Sequence, residues 1–89
     1  NPMTPRYGWV LCTDVLEHTG NHLGCLKWLE SLGDNVALAY PLMEFRAPYV
    51  NVMDEWVDDE AIQWIIAKRY IVLESKIVDG RRYTIYRIK

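Results

Sequence analysis

The chain has 89 residues, of which 51% are hydrophobic, and a formal net charge of −2 with a pI near 5.6. This length fits one domain, the apolar content argues against a disordered chain, and the pI argues against indiscriminate binding to polyanions. No apolar run reaches the roughly 20 residues of a membrane span, and the N-terminus has no apolar signal-peptide core. Because two cysteines do not make a disulfide framework, we expect a cytoplasmic protein.

The N-terminal third is predicted to contain one helix. Residues 1–8 are expected to be irregular, and the segment Trp9–Glu17 fits either a strand or a short helix. A helix is predicted over His22–Leu32, because its apolar residues recur on one arc at 3.6 residues per turn. Asn21 is the expected N-cap, and Gly33 is expected to end the helix.

The middle of the chain predicts a strand and two further helices. Val36–Ala39 is a short apolar strand, and Pro41–Arg46 fits a helix that begins with proline near its first turn. A longer helix is predicted from Asp54 or Asp58 to Arg69. Acidic residues crowd its first turns and basic residues end it, as the helix dipole favours.

The last 22 residues predict a basic β-hairpin. They hold seven basic residues against two acidic ones, a net of +5, whereas residues 1–67 have a net charge of −7. Asp79-Gly80 between two β-rich runs is a strong signal for a type I′ turn, which pairs Val78 with Arg81 and continues outward. The predicted core face carries Ile71, Leu73, Ser75 and Ile77 opposite Ile88, Tyr86, Thr84 and Arg82. The other face is apolar enough that the N-terminal segment or a second copy of the chain is expected to cover it.

This order of elements resembles the winged helix-turn-helix superfamily. The closest likeness lies in the end of the long helix and the hairpin, at residues 65–71, Asp79-Gly80-Arg81-Arg82 and Tyr86-Arg87-Ile88. The resemblance implies an α+β fold of three helices with a C-terminal two-stranded β-hairpin wing, formed by residues 21–89 and preceded by an N-terminal segment, 1–20, that packs on the domain or on a partner. The chain has Arg69-Tyr70 where the family often has glycine. A second possible register places a helix-turn-helix in Leu11–Leu32, but it leaves the C-terminal helix and hairpin without a role.

The resemblance implies a small transcription or replication regulator that binds duplex DNA through the basic wing. Basic side chains on a hairpin neutralise phosphates and release counterions, although lysine and arginine also protect exposed strand edges from aggregation. The predicted DNA-binding residues are Lys68, Arg69, Lys76, Arg81, Arg82, Tyr83 and Arg87. Gln63 is the one good base reader on the long helix, whose Asp59 and Glu60 would repel phosphates.

The alternative function is a protein-interaction module that does not bind DNA. It would dock through the acidic helix over residues 54–67, with Trp56 as an anchor. Winged-helix regulators often dimerise to read two half-sites, so the resemblance also implies a homodimer. The predicted protein-interface residues are Trp56, Val72, Tyr83 and Ile85.

A zinc site is the weakest of the candidate sites. Cys12, His18, His22 and Cys25 are a chemically suitable ligand set, but their spacing lacks the usual Cys-x2–4-Cys knuckle, and Cys25 fits the core side of the first helix. The acidic run 54–60 lacks the spacing of a calcium loop. No Gly-rich phosphate loop or His-Glu-x-x-His motif is present in the sequence, so we expect neither an enzyme nor a bound cofactor.

Overall fold

A computed structural model describes residues 6–42 and 57–89, which form a four-stranded sheet and two α-helices. The strands are β1 (Tyr7–Thr13), β2 (Gly33–Pro41), β3 (Tyr70–Val78) and β4 (Arg81–Ile88). The helices are α1 (His22–Leu32) and α2 (Asp59–Arg69), and a short 3₁₀ helix, Leu16–His18, follows β1. Neither α-helix in these described ranges has the length and apolar content that crossing a bilayer requires.

The sheet has the strand order β1-β2-β4-β3. β2 is an inner strand that pairs parallel with β1 and antiparallel with β4, and β4 pairs antiparallel with β3. A parallel pair needs a crossover connection, and α1 supplies it between β1 and β2. The order leaves β1 and β3 at the two edges.

The winged-helix architecture is wrong for this chain, since the described residues hold two helices and a four-stranded mixed sheet. The apolar piece predicted as Val36–Ala39 belongs to a nine-residue strand at the centre of the sheet. Because that strand pairs with β4, the hairpin is part of the sheet and not a projecting wing. The helix predicted over Pro41–Arg46 is wrong at its start, where Pro41 pairs with Arg81 in the sheet, and its remaining residues lie outside the described ranges.

Both long helices form where the sequence predicts them. Asn21 accepts a hydrogen bond from the backbone N–H of Gly24 at 2.8 Å, which confirms it as the N-cap of α1. Asp58 caps α2 in the same way, accepting from the N–H of Ala61 at 3.2 Å. Each cap satisfies one of the backbone donors that a helix start leaves without an intrahelical partner.

The hairpin turn is confirmed at Asp79-Gly80. Both residues have positive φ, 50° and 76°, as a type I′ turn requires, and Val78 pairs with Arg81 as predicted. The predicted pairing fails beyond Glu74, because a β-bulge between Val72 and Glu74 inserts one residue into β3. Tyr70 and Val72, not the predicted Ile71 and Leu73, therefore stand beside the core-facing residues of β4.

The core lies between the two helices and one face of the sheet. The helices contribute buried leucine and isoleucine side chains, and the strands contribute alternate residues. Its fully buried members include Leu26, Leu29, Val36, Leu38, Tyr40, Ile62, Ile66 and Tyr86. The rings of Tyr70 and Tyr86 stack with their centroids 4.7 Å apart. Because α1 and α2 both pack on this side, no helix of the described chain covers the opposite face.

Candidate interaction surface on the open face of the sheet

The face of the sheet turned away from the helices, here called the open face, carries a continuous and largely apolar surface. Side chains alternate along a strand, so every second residue points to this face, and the strand pairings align these residues in rows. The rows are Trp9, Asn35, Arg87 and Ile71; then Leu11, Ala37, Ile85 and Glu74; then Thr13, Ala39, Tyr83 and Lys76; and finally Pro41, Arg81 and Val78.

A groove with a volume of about 230 Å³ crosses the middle of the open face. Ala37 and Ala39 of β2 form its floor, and because they carry only methyl groups they leave open space above this strand. Leu11 of β1 stands on one side, and Tyr83 and Ile85 of β4 stand on the other. The strands that bear these walls are two positions apart in the sheet, about 10 Å, which leaves room for one row of inserted side chains.

Large apolar side chains of the open face are accessible to solvent. Leu11 is 77% exposed and Trp9 59% exposed, and Ile71, Val78 and Tyr83 are also exposed. Single exposed apolar residues are common on protein surfaces, whereas contiguous apolar groups are typical of contact surfaces. Tryptophan and tyrosine are also the residue types that most often dominate binding energy.

Four charged side chains frame the open face, three of them basic. Lys76 lies 3.4 Å from the carboxylate of Glu74, and Arg81 forms an ion pair with Asp14 at the end of β1. The Nε atom of Arg87 donates to the side-chain oxygen of Asn35 at 3.4 Å. Asn35 is uncharged, so Arg87 keeps its full positive charge, and the open face has a positive balance.

The opposite face of the sheet contains a polar network that joins α2 to β2 and β4. Arg82 donates to both carboxylate oxygens of Asp59, at 3.0 and 2.8 Å. Tyr40 donates its hydroxyl proton to Asp59 at 2.6 Å and accepts a hydrogen bond from the amide of Gln63. The same amide donates to the hydroxyl of Thr84 at 2.9 Å. The network fixes the first two turns of α2 against the sheet.

Two pKa values in this network are displaced by its contacts. The hydrogen bonds from Arg82 lower the pKa of the Asp59 carboxyl, against the opposing effect of partial burial. Burial raises the pKa of the Tyr40 hydroxyl, and its hydrogen bond to Asp59 raises it further. Asp59 is therefore the charged partner and Tyr40 the neutral donor, an arrangement that suits a structural link better than proton transfer near neutral pH.

The residues predicted to bind DNA are divided among three places. Lys76, Arg81, Tyr83 and Arg87 lie on the open face, and Arg82 lies on the helix side against Asp59. Lys68 and Arg69 end α2, where Lys68 lies over the ring of Trp64 and Arg69 pairs with Glu30 at 3.2 Å. Four of the six basic residues are therefore paired with acidic residues of the same chain.

The other predicted contact residues are also separated. Gln63 points its amide into the network beneath α2, with Tyr40 and Thr84 as partners. Tyr83 and Ile85 both line the groove of the open face. Val72 is opposite Tyr86 on the edge strand, and Trp56 lies outside the described residues.

The predicted zinc ligands do not gather into a metal site. Cys12 lies in β1 and Cys25 in α1, where their thiols are close enough for a hydrogen bond, and burial raises the pKa of Cys25. His18 lies in the 3₁₀ helix and His22 begins α1. Within residues 6–42 and 57–89, no three histidine, cysteine or acidic side chains are arranged to hold a metal ion.

Trp9, Leu11, Ala37 and Ala39 are not predicted from the sequence as contact residues. Residues 1–20 are predicted to be an N-terminal segment that packs on the domain or on a partner, and only Val36–Ala39 of β2 is predicted as a strand, so no common surface is expected for these four side chains. A signal was available, because Tyr7, Trp9, Leu11 and Thr13 alternate with smaller residues along β1. That alternation is typical of a strand with two different faces.

The comparisons with known proteins assign no family. No protein-family model matches the chain, and no curated protein matches it at a significant level.

Proposed function

We propose that this protein is a non-catalytic protein-interaction module that binds a partner chain on its open face. The observation that carries the proposal is the groove over Ala37 and Ala39, walled by apolar side chains and left uncovered by both helices. The proposal includes a cytoplasmic location, because two cysteines are too few for the disulfide framework of a small secreted domain.

The apolar area of the open face supports the proposal. The four strands span about 20 Å across and about 20 Å along the open face. A surface of that size has a flat area of about 400 Å², which is about half of the roughly 800 Å² that each partner contributes to a standard protein interface and therefore suits a short partner segment. Burying its exposed tryptophan, leucine and isoleucine side chains would supply the stabilisation, at about 25 cal/mol per Å² before the costs of association.

The charges on the open face indicate the kind of partner. Lys76, Arg81 and Arg87 outnumber Glu74, and Asp14 pairs with one of them from the sheet edge. A partner segment with apolar side chains for the groove and aspartate or glutamate on its flanks matches this pattern. Such charge complementarity mainly favours the correct partner and speeds association.

DNA binding through the hairpin stays a prediction, but this geometry supports it less well. Arg82 is only 20% exposed at its side chain and is held by Asp59. Releasing paired arginines to meet phosphates would cost the ion pairs they already make, and the α2 acids remain close by. The apolar groove would have no role on a phosphate backbone.

Selection from a phage-displayed library of random 12-residue peptides tests the protein-interaction proposal. We expect peptides that combine apolar residues with aspartate or glutamate, and at least a tenfold loss of their affinity in Ala37→Arg, which fills the groove. Ala67→Arg is the matched control, because Ala67 is exposed on α2, and it should bind the peptides as the unaltered protein does. Fluorescence anisotropy measures each affinity.

Two results would reject the proposal. The first is a library that yields no peptide above background, or peptides that bind Ala37→Arg unchanged. The second is tight binding of a labelled duplex or single-stranded oligonucleotide in 50 mM salt that Arg81→Ala and Arg87→Ala both abolish. That second result would restore nucleic-acid binding as the function.

A further inference from the structure

We propose that two copies of the chain pair through the free edge of β3, joining their sheets into one of eight strands. β3 is an edge strand of nine residues, all exposed except Tyr70. The pairing uses the backbone edge of β3, whereas the side chains of Glu74 and Lys76 also line the groove of the open face. The inference does not rest on the proposed function.

The hairpin turn shows which backbone groups of β3 point outward. Val78 and Arg81 flank a two-residue turn and exchange hydrogen bonds, and in an antiparallel ladder every second residue of a strand does the same. Lys76 therefore bonds to β4, whereas Ser75 and Ile77 direct their N–H and C=O groups away from it. An unpaired row of this kind is a template for another strand.

The sequence of β3 is self-complementary in one antiparallel register. With Ser75 opposite Ser75 of the second copy, Glu74 faces Lys76 and Lys76 faces Glu74. Both residues lie on the open-face side of the sheet, so each cross-chain pair shares a face. In this register they form a non-hydrogen-bonded pair, whose Cβ atoms lie about 4.5–5.5 Å apart. The same register places Leu73 opposite Ile77, an apolar pair on each side of the two-fold axis.

Neighbouring registers are poorer. Moving the axis to Glu74 or to Lys76 places two like charges directly opposite each other, which destabilises a strand pair. Moving the axis to Ile77 brings Ser75 opposite Asp79, which belongs to the turn and not to the strand. The bulge at Leu73 interrupts β3 next to this segment. Regular pairing therefore covers only residues 74–76, with Leu73 and Ile77 at its ends, and the dimer is expected to be weak and reversible. A lysine and a bulge on an edge strand also commonly protect it against pairing with another strand. Exchanging the charges of Glu74 and Lys76 distinguishes protection of the edge from dimer formation.

Sedimentation velocity on the full chain tests the pairing. We expect concentration-dependent dimers, weakened by 0.5 M NaCl because the pairs are exposed. Glu74→Lys and Lys76→Glu should each weaken dimerisation about tenfold or more, since each replaces two attractive contacts by two repulsive ones. The double variant Glu74→Lys/Lys76→Glu should restore it, and an equimolar mixture of the two single variants should form heterodimers. Far-ultraviolet circular dichroism checks that every variant is folded.

A chain that remains monomeric at millimolar concentration overturns the inference. So do single variants that dimerise as the unaltered chain does, or a double variant that stays monomeric while folded. Dimers that persist in the charge variants and disappear in Ala37→Arg would place self-association on the open face instead. That outcome rejects the β3 edge and supports the groove as a contact surface.

Discussion

Asp59 and Arg82 are joined by two hydrogen bonds, of 3.0 and 2.8 Å, that connect the first turn of α2 to an inner strand of the sheet. The side chains are 24% and 20% exposed, so solvent weakens the pair only in part. Arg82→Ala should lower the free energy of unfolding by about 1–3 kcal/mol, because it leaves a half-buried carboxylate without its charged partner. Arg87→Ala is the exposed control on the same strand and should change it by less than about 0.5 kcal/mol. Urea denaturation measures both.

The same pair predicts a pH dependence of stability. The pKa of Asp59 is lowered in the folded chain by the hydrogen bonds from Arg82. A lowered folded-state pKa means that the unfolded state binds more protons as the solution is acidified. The contribution of Asp59 is thus fully present above its ordinary pKa of 3.8 and is lost as the pH falls through the folded-state value.

Asp59→Asn tests this dependence. The difference in unfolding free energy between the unaltered chain and this variant should be largest near pH 7 and should shrink below pH 4. Thermal unfolding followed by circular dichroism between pH 2 and pH 7 measures it. In an Arg82→Ala background, Asp59→Asn should change the unfolding free energy by nearly the same amount at every pH. If the effect of Asp59→Asn in the unaltered chain were also constant with pH, Asp59 would not be the source of the pH dependence.

Two buried tyrosines should respond oppositely to loss of their hydroxyl groups. The Oη atom of Tyr86 is buried and has no hydrogen-bond partner among the described residues, so Tyr86→Phe should leave stability unchanged or raise it by up to about 1 kcal/mol. Tyr40→Phe removes a donor to Asp59 and an acceptor for Gln63 and should cost about 1–2 kcal/mol. Equilibrium unfolding in urea compares them, and a destabilising Tyr86→Phe would indicate a partner for that hydroxyl.

Gly33 should be intolerant of a side chain because of crowding and not because of its backbone angles. Its φ of −157° is an ordinary extended value, but an added Cβ would lie 2.6 Å from Val10 Cγ2 and 2.8 Å from the carbonyl oxygen of Tyr7. Gly33→Ala should therefore displace β1 and destabilise the fold by about 1–3 kcal/mol. Gly8→Ala is the matched control, since a Cβ there meets no atom within 4 Å. Amide hydrogen exchange of β1, with thermal unfolding, reads out both variants.

Local signals in the sequence determined much of the C-terminal half. Asp79-Gly80 predicts the turn because both positions need positive φ, and Asn21 locates the start of α1. The sequence leaves the start of α2 open between Asp54 and Asp58, and the structure gives Asp58 as its cap. The bulge at Leu73 could not be predicted, because no glycine marks it and the apolar residues before it are compatible with either face of the sheet. One inserted residue then exchanges the two faces of the strand's first half.

Long-range pairing is the part that the sequence does not reveal. Gly33 ends α1, as its residue type predicts, but it is also the first residue of β2, because it pairs with Tyr7 of β1. Trp9 contacts the sheet through a parallel neighbour that lies 26 residues later in the chain. Nothing in the local pattern identifies that neighbour, and without it the open face and its groove cannot be predicted.

The central position of β2 has a consequence for how the chain folds. α2, β3 and β4 follow one another directly, so their contacts close short loops, whereas β2 reaches β4 across about 50 residues, as in the pair Val36 and Tyr86. Distant contacts carry a larger loop-closure entropy and slow folding. Residues 59–88 are thus expected to form the early part of the transition state, with high φ-values, and β1 to add last because it needs β2 in place. Since only Val10 and Cys12 of β1 are withdrawn from solvent, β1 and its tryptophan are also expected to detach first in local unfolding and to expose this strand to proteases.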